Sequence, residues 1–183
     1  MRFTPVAAPN ASFTKPAVSP ARILYIDLLA IDLSSCARCV PTAGQLESAM
    51  KLLKPVAEAL GIGFDYRPRV LTSAAQALEA GLLSSPTIRL NGRDIAGELR
   101  ESVCETCGDL IGSTGSVDCR EWVYRGETYC TAPLPLIVEA IMDAMVHLDE
   151  RPPLAVPRLE SLPENLRMFF EAKRNSTEEK GCC

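Results

Sequence analysis

Eight cysteines, at positions 36, 39, 104, 107, 119, 130, 182 and 183, dominate the chemistry this sequence offers. They fall into three groups. Cys36-Ala37-Arg38-Cys39 follows an apolar, β-branched run, Arg22 to Asp32, and precedes a stretch with helical periodicity. A thiol at a helix start faces unpaired N–H groups and the positive end of the helix dipole. The reading places Cys36 exposed, Cys39 one turn inside, and Arg38 beside them as a further positive charge. All three effects lower the Cys36 pKa and raise its thiolate fraction. A thiolate attacks disulfides and binds soft metal ions; a thiol does neither well.

The second group, Cys104, Cys107, Cys119 and Cys130, lies in a polar, glycine-containing stretch, 97–131. Four thiolates satisfy tetrahedral zinc, and a metal would stabilise a segment too polar to build its own core. A second redox pair at Cys104 and Cys107, or an iron–sulfur cluster, fits the same spacing. The third group, Cys182 and Cys183, ends a charged tail, 173–183. Neighbouring cysteines form only a strained disulfide. As an exposed dithiol they suit Hg(II), As(III) or Cu(I), or the passing of electrons. At roughly 3.3 Å per residue the tail reaches about 35 Å.

The elements that must position these thiols follow from periodicity and punctuation. The run 22–32 is a buried strand. Ser34 and Ser35 are candidates to cap the helix that follows, whose apolar positions are Leu46, Met50, Leu53, Val56, Ala57 and Leu60, with Gly61 at its end. A strand over 64–71 and a short helix over 73–80 come next. Two short apolar runs then flank Asn91-Gly92, a hairpin signal. A helix over 134–148, a proline-rich linker with Pro152, Pro153 and Pro157, and a short helix over 162–172 complete the chain. Residues 1–20, broken by four prolines, read as a mobile arm and not a signal peptide.

In this order of elements the chain resembles the thioredoxin-like superfamily. The features that carry the likeness are the CxxC after the first core strand and Ser85-Pro86-Thr87 before the hairpin strand, where that superfamily has its cis-proline. The resemblance spans roughly residues 21–148, with 97–131 as an insertion and 149–183 as linker, short helix and cysteine tail. It implies an α/β fold, a three-layer α/β/α sandwich. It also implies Cys36 as nucleophile, Cys39 as resolving thiol and Pro86 as the substrate-docking element. Ala-Arg in place of Gly-Pro, and no aromatic residue before Cys36, point to a specialised substrate. Asp118-Cys119-Arg120-Glu121-Trp122 is similar to a motif of uncharacterised bacterial thioredoxin-like proteins with a cysteine-rich insert. The terminal pair resembles the C-terminal vicinal cysteines of mercuric reductase, and large thioredoxin reductases also use a C-terminal redox tail.

Composition narrows the function. A net charge of -4 and an aromatic content of 5% argue against nucleic-acid binding. No apolar run reaches the ~20 residues that span a bilayer. No phosphate-binding glycine motif is present, so no nucleotide cofactor is expected. His147 is the only histidine, which leaves little for His-assisted catalysis. These features predict a cytoplasmic protein, where paired cysteines mean redox chemistry or metal binding more often than a disulfide framework. Three functions remain open: a thiol–disulfide oxidoreductase or thiol relay fed by the tail, a binding and transfer protein for mercury, arsenic or organometals, and an interaction protein with zinc-bound cysteines. The expected partner is a thiol or disulfide protein, or a soft metal ion.

Overall fold

A computed structural model describes residues 22–110 and 117–180. The expected N-terminal arm and the Cys182–Cys183 pair lie outside the described residues. The chain is a mixed α/β protein with two sheets. The first sheet has the order β2-β1-β3-β4. β1 (Arg22–Ala30) pairs parallel with β2 (Ile62–Val70) and antiparallel with β3 (Thr87–Leu90), and β3 pairs antiparallel with β4 (Arg93–Asp94). α1 (Cys39–Ala59) makes the crossover from β1 to β2, and α2 (Ala74–Glu79) follows β2.

Pro68 is tolerated in β2 because, among the described residues, that strand is an edge and pairs only with β1. Asn91 and Gly92 form the β3–β4 turn with φ values of 49° and 79°, the double left-handed turn that Asn-Gly favours. Asn91 is also tied to β1, accepting from Tyr25 N at 3.0 Å through its side chain and donating its own N–H to Tyr25 O at 2.8 Å.

Even-numbered β1 residues, Leu24, Ile26 and Leu28, enter one core with Leu46, Ala49, Leu53 and Ala57 of α1. Ile137, Ile141 and Met145 of α4 (Leu134–Val146) close that core. The buried stripe of α1 therefore runs 46, 49, 53, 57, and Val56 and Leu60, expected on it, are exposed.

The second core begins at Leu29, Ala30 and Ile31 and takes in Leu71, Ala77 and Leu82. Stretch 97–131, expected to be a polar, cysteine-rich insertion, carries β5 (Arg100–Cys104), α3 (Glu105–Leu110), β6 (Val117–Tyr124) and β7 (Glu127–Tyr129). β5, β6 and β7 form an antiparallel sheet. β6 is buried on both faces: Val117 and Cys119 join the second core, and Trp122 joins the first. α5 (Glu164–Lys180) is longer than the short helix expected and brings Leu166, Phe169 and Phe170 into the second core. Among the described residues no helix is long and apolar enough to cross a membrane.

Candidate thiol centre

The loop between β1 and α1 is built around Asp32. Its carboxylate accepts from Ser34 N at 3.3 Å, Ser35 N at 2.8 Å and Cys36 N at 2.7 Å, and from both serine hydroxyls. These bonds hold its pKa below the ordinary value although burial opposes them. The serines do not cap α1. The residue at the cap, Arg38, makes no side-chain capping bond, and Cys39 N instead donates to Cys36 Sγ at 3.3 Å. The sulfur itself occupies the anion position at the helix N-terminus.

Cys36 is not exposed, contrary to expectation; its relative accessibility is 0%. It packs in the core that the β5–α3–β6 segment and α5 complete. Cys36 Sγ lies 3.6 Å from Cys107 Sγ, and Cys107 Sγ lies 3.2 Å from Cys119 Sγ. The sulfurs of Cys36, Cys104 and Cys107 all fall within 4.8 Å of one another. The topology explains the gathering. Cys104 ends β5 and Cys107 follows in the first turn of α3. Ser102 pairs with Cys119, so Cys104 and Cys119 are diagonal neighbours across β5 and β6.

Cys130 does not join them. β7 ends at Tyr129, opposite Trp122, so the returning strand stops short of the level of Cys119, and Cys130 is exposed. The four-sulfur set suggested by spacing is thus replaced by one in which Cys36 stands where Cys130 was expected. All six described cysteines are free thiols.

Arg38 does not face Cys36 as a bare charge. It is 8% exposed, and its guanidinium donates to Cys119 O at 3.0 Å, Arg120 O at 3.4 Å, Ser102 Oγ at 2.9 Å and Val103 O at 2.6 Å. It fastens the start of α1 to β5 and β6. The Cys36 thiol is nonetheless held well below its usual range. Hydrogen donation from Cys107, then Cys119 and Cys39, outweighs burial. Cys39 and Cys119 are pushed up, Cys39 first by the hydrogen it gives Cys36 and Cys119 first by the one it gives Cys107. Cys107 receives a hydrogen from Cys119, which pulls its pKa down. Its own donation to Cys36, together with burial, leaves it raised.

Cys39 is the fifth buried thiol. Its sulfur lies 3.5 Å from Ser85 Oγ, and Ser85 Oγ accepts from Ile31 N at 3.1 Å. The Ser85–Pro86 peptide bond is cis. Ser85 O in turn accepts from Arg120 N at 2.9 Å. Asp32, Ser85 and the anchoring role of Arg38 were not anticipated. The Asp32-Leu33-Ser34-Ser35-Cys36 run, with an acceptor two to four residues ahead of a string of donors, carried the one signal available for Asp32.

Residues 24–141 match the family model for a domain of unknown function, DUF2703. The chain belongs to that family. No curated protein and no solved structure matches it. The DUF2703 match contains Cys36, Cys39, Cys104, Cys107, Cys119 and Cys130, and so the whole buried thiol group.

With Zn–S bonds of ~2.3 Å, tetrahedral coordination separates sulfurs by about 3.8 Å. The spacings of 3.2 and 3.6 Å are close to that, whereas a disulfide needs ~2.0 Å. The buried sulfurs of Cys36, Cys104, Cys107 and Cys119 in this DUF2703 protein could hold a metal ion.

Proposed function

We propose that this DUF2703 protein is a thioredoxin-like protein whose CxxC has been drawn into a buried polythiol site for a thiophilic metal or metalloid ion. The observation that carries the reading is the convergence of Cys36, Cys104 and Cys107, three buried sulfurs from three separate elements, within 4.8 Å of one another. Thiolates select soft ions, and among the described residues neither imidazole nor carboxylate enters this group. The thioredoxin-like part rests on the order β2-β1-β3-β4 with β3 antiparallel to β1, the CxxC between β1 and α1, and the cis bond before Pro86.

The test is native mass spectrometry of the reduced full chain after loading with Zn(II), Hg(II) or arsenite. One ion is expected per chain. Cys36→Ser, Cys104→Ser and Cys107→Ser are expected to lose it, and Cys130→Ser to keep it. Failure to take any of the three ions, or equal loss in Cys130→Ser and Cys36→Ser, overturns the reading.

A second reading, thiol–disulfide exchange by Cys36 with Cys39 resolving, is favoured by the N–H that Cys39 gives Cys36 Sγ and by the cis Ser85–Pro86 bond beside the pair. In it Cys182 and Cys183 would pass electrons inward. The burial of Cys36 opposes attack on a folded partner's disulfide, because the thiolate must be reached to react. Turnover of a protein disulfide by the wild type, lost in Cys36→Ser, would establish it; turnover unchanged in Cys36→Ser would remove it.

A further inference from the structure

The thiol group is not symmetrical. Cys36, Cys104 and Cys107 form a closed triangle of sulfurs, each within 4.8 Å of the other two. Cys119 falls outside that mutual radius and stands beside Cys107, to which it donates its S–H at 3.2 Å. One centre thus sits readily over three sulfurs, with a fourth to one side.

Charge points the same way. Leu29, Ile31, Leu82, Val117 and Phe169 are among the buried neighbours in this core. The two buried arginines nearby are committed elsewhere: Arg38 to backbone carbonyls and Ser102, Arg120 to Asp94. Among the described residues the backbone donor to these sulfurs is Cys39 N, on Cys36. Zinc held by four thiolates carries two net negative charges. Burying them is strongly unfavourable unless cations or a full set of donors offset the charge, and among the described residues neither is seen beside these sulfurs. A trivalent centre with three thiolates carries none.

We propose that the Cys36–Cys104–Cys107 triad binds a trivalent metalloid hydroxide of the arsenite class as a neutral, pyramidal tris-thiolate, with Cys119 beside the triad and outside the coordination. This rests on the polythiol reading above and names its cargo. The reaction is ligand exchange: As(OH)3 and three Cys–SH give As(S-Cys)3 and three waters. Three As–O bonds break and three As–S bonds form. Each thiol hydrogen leaves with a hydroxide, and no electron changes hands.

The experiment uses the reduced full-length chain with Cys130, Cys182 and Cys183 replaced by serine, so that only buried thiols report. Arsenite and Zn(II) are titrated singly and in competition, and the product is weighed by native mass spectrometry. The expected adduct is one arsenic less three hydrogens, formed in preference to zinc at equal concentrations. Cys119→Ser is expected to weaken arsenite by about tenfold, the scale of a lost outer-shell partner, and zinc by much more. Cys36→Ser, Cys104→Ser or Cys107→Ser is expected to abolish the arsenic adduct. The hydrogen count of the unsubstituted triad needs no further variant and stands even if one of these fails to fold. Preferential zinc binding, or arsenite lost as fully in Cys119→Ser as in Cys36→Ser, overturns the arsenite assignment and leaves the polythiol site standing. Binding of neither ion overturns the arsenite assignment, and refusal of Hg(II) as well overturns the polythiol reading.

Discussion

Arg120 and Asp94 make an asymmetric pair, and the asymmetry predicts which member is costlier to remove. Arg120 lies on β6 next to Cys119, and its side chain is 2% exposed. Its guanidinium meets both carboxylate oxygens of Asp94, at 2.9 and 2.8 Å. Asp94, on β4, is 30% exposed and also accepts from Ala96 N at 3.0 Å. Asp94→Ala strands a buried guanidinium and is expected to cost about 3–5 kcal/mol. Arg120→Met leaves a carboxylate that water can reach and fills the space with an apolar chain. Its cost is the lost charged hydrogen bonds, about 1.5–3 kcal/mol at most. The double variant should be no less stable than Arg120→Met, and more stable than Asp94→Ala. For a chain of this size Asp94→Ala corresponds to a fall in Tm of about 10 °C. Urea unfolding followed by far-UV circular dichroism measures all four corners of the cycle, with unchanged slopes showing that the unfolded states are comparable. If Arg120→Met costs as much as Asp94→Ala, or the double variant is less stable than Asp94→Ala, the reasoning from burial is wrong.

Three further substitutions test two loops and the first helix. Asp32→Asn should destabilise by about 1–2 kcal/mol, because an amide nitrogen must face donors that a carboxylate oxygen now receives. The Asp32 pKa is lowered by folding. Its contribution is therefore full above the unfolded carboxylate value of about 3.9 and is lost as pH falls through the lower folded value. Wild type should thus lose more stability in acid than Asp32→Asn, and parallel urea midpoints across that range would contradict this. Gly92→Ala should cost about 2 kcal/mol or more. Its φ of 79° disfavours any side chain, and the new Cβ would meet the Leu154 carbonyl oxygen. Gly44→Ala, inside α1 with open space around it, should instead stabilise by up to about 1 kcal/mol; thermal melts of both give the opposite signs or refute the contrast.

What could be read from the sequence was what local rules govern. The β1 run, α1, and the Asn91–Gly92 turn follow from periodicity and turn chemistry within a few residues. The polar stretch 97–131 hid a second sheet because β5 shows no clean alternation: Arg100 and Val103 are exposed, while Cys104 is buried. The identity of the fourth thiol was hidden for a different reason. Spacing nominates Cys130, but the β6–β7 register decides where that residue stands, and register is a long-range property. Cys36 enters from 71 residues away in sequence. Arg38 was read as a charge for Cys36, and it became a clamp because four acceptors on β5 and β6 surround it.

The position of Cys36 binds the two chemistries of the CxxC into competition. Its sulfur touches Cys107 on one side and receives the Cys39 N–H on the other. A disulfide to Cys39 would draw that sulfur to about 2.0 Å from its new partner and take away the electron pair that an ion needs. The site cannot be oxidised at Cys36 and loaded at Cys36 together. In an exposed CxxC the first cysteine is free for attack; here the β5–α3–β6 segment and α5 bury it and surround it with more thiols. Burial slows exchange with large disulfides, and neighbouring sulfurs raise affinity for a soft ion. Both consequences follow from the same added elements. On the proposed reading, the segment that looks like an insertion in the sequence would be what shifts the chemistry of the pair from electron transfer toward ion capture.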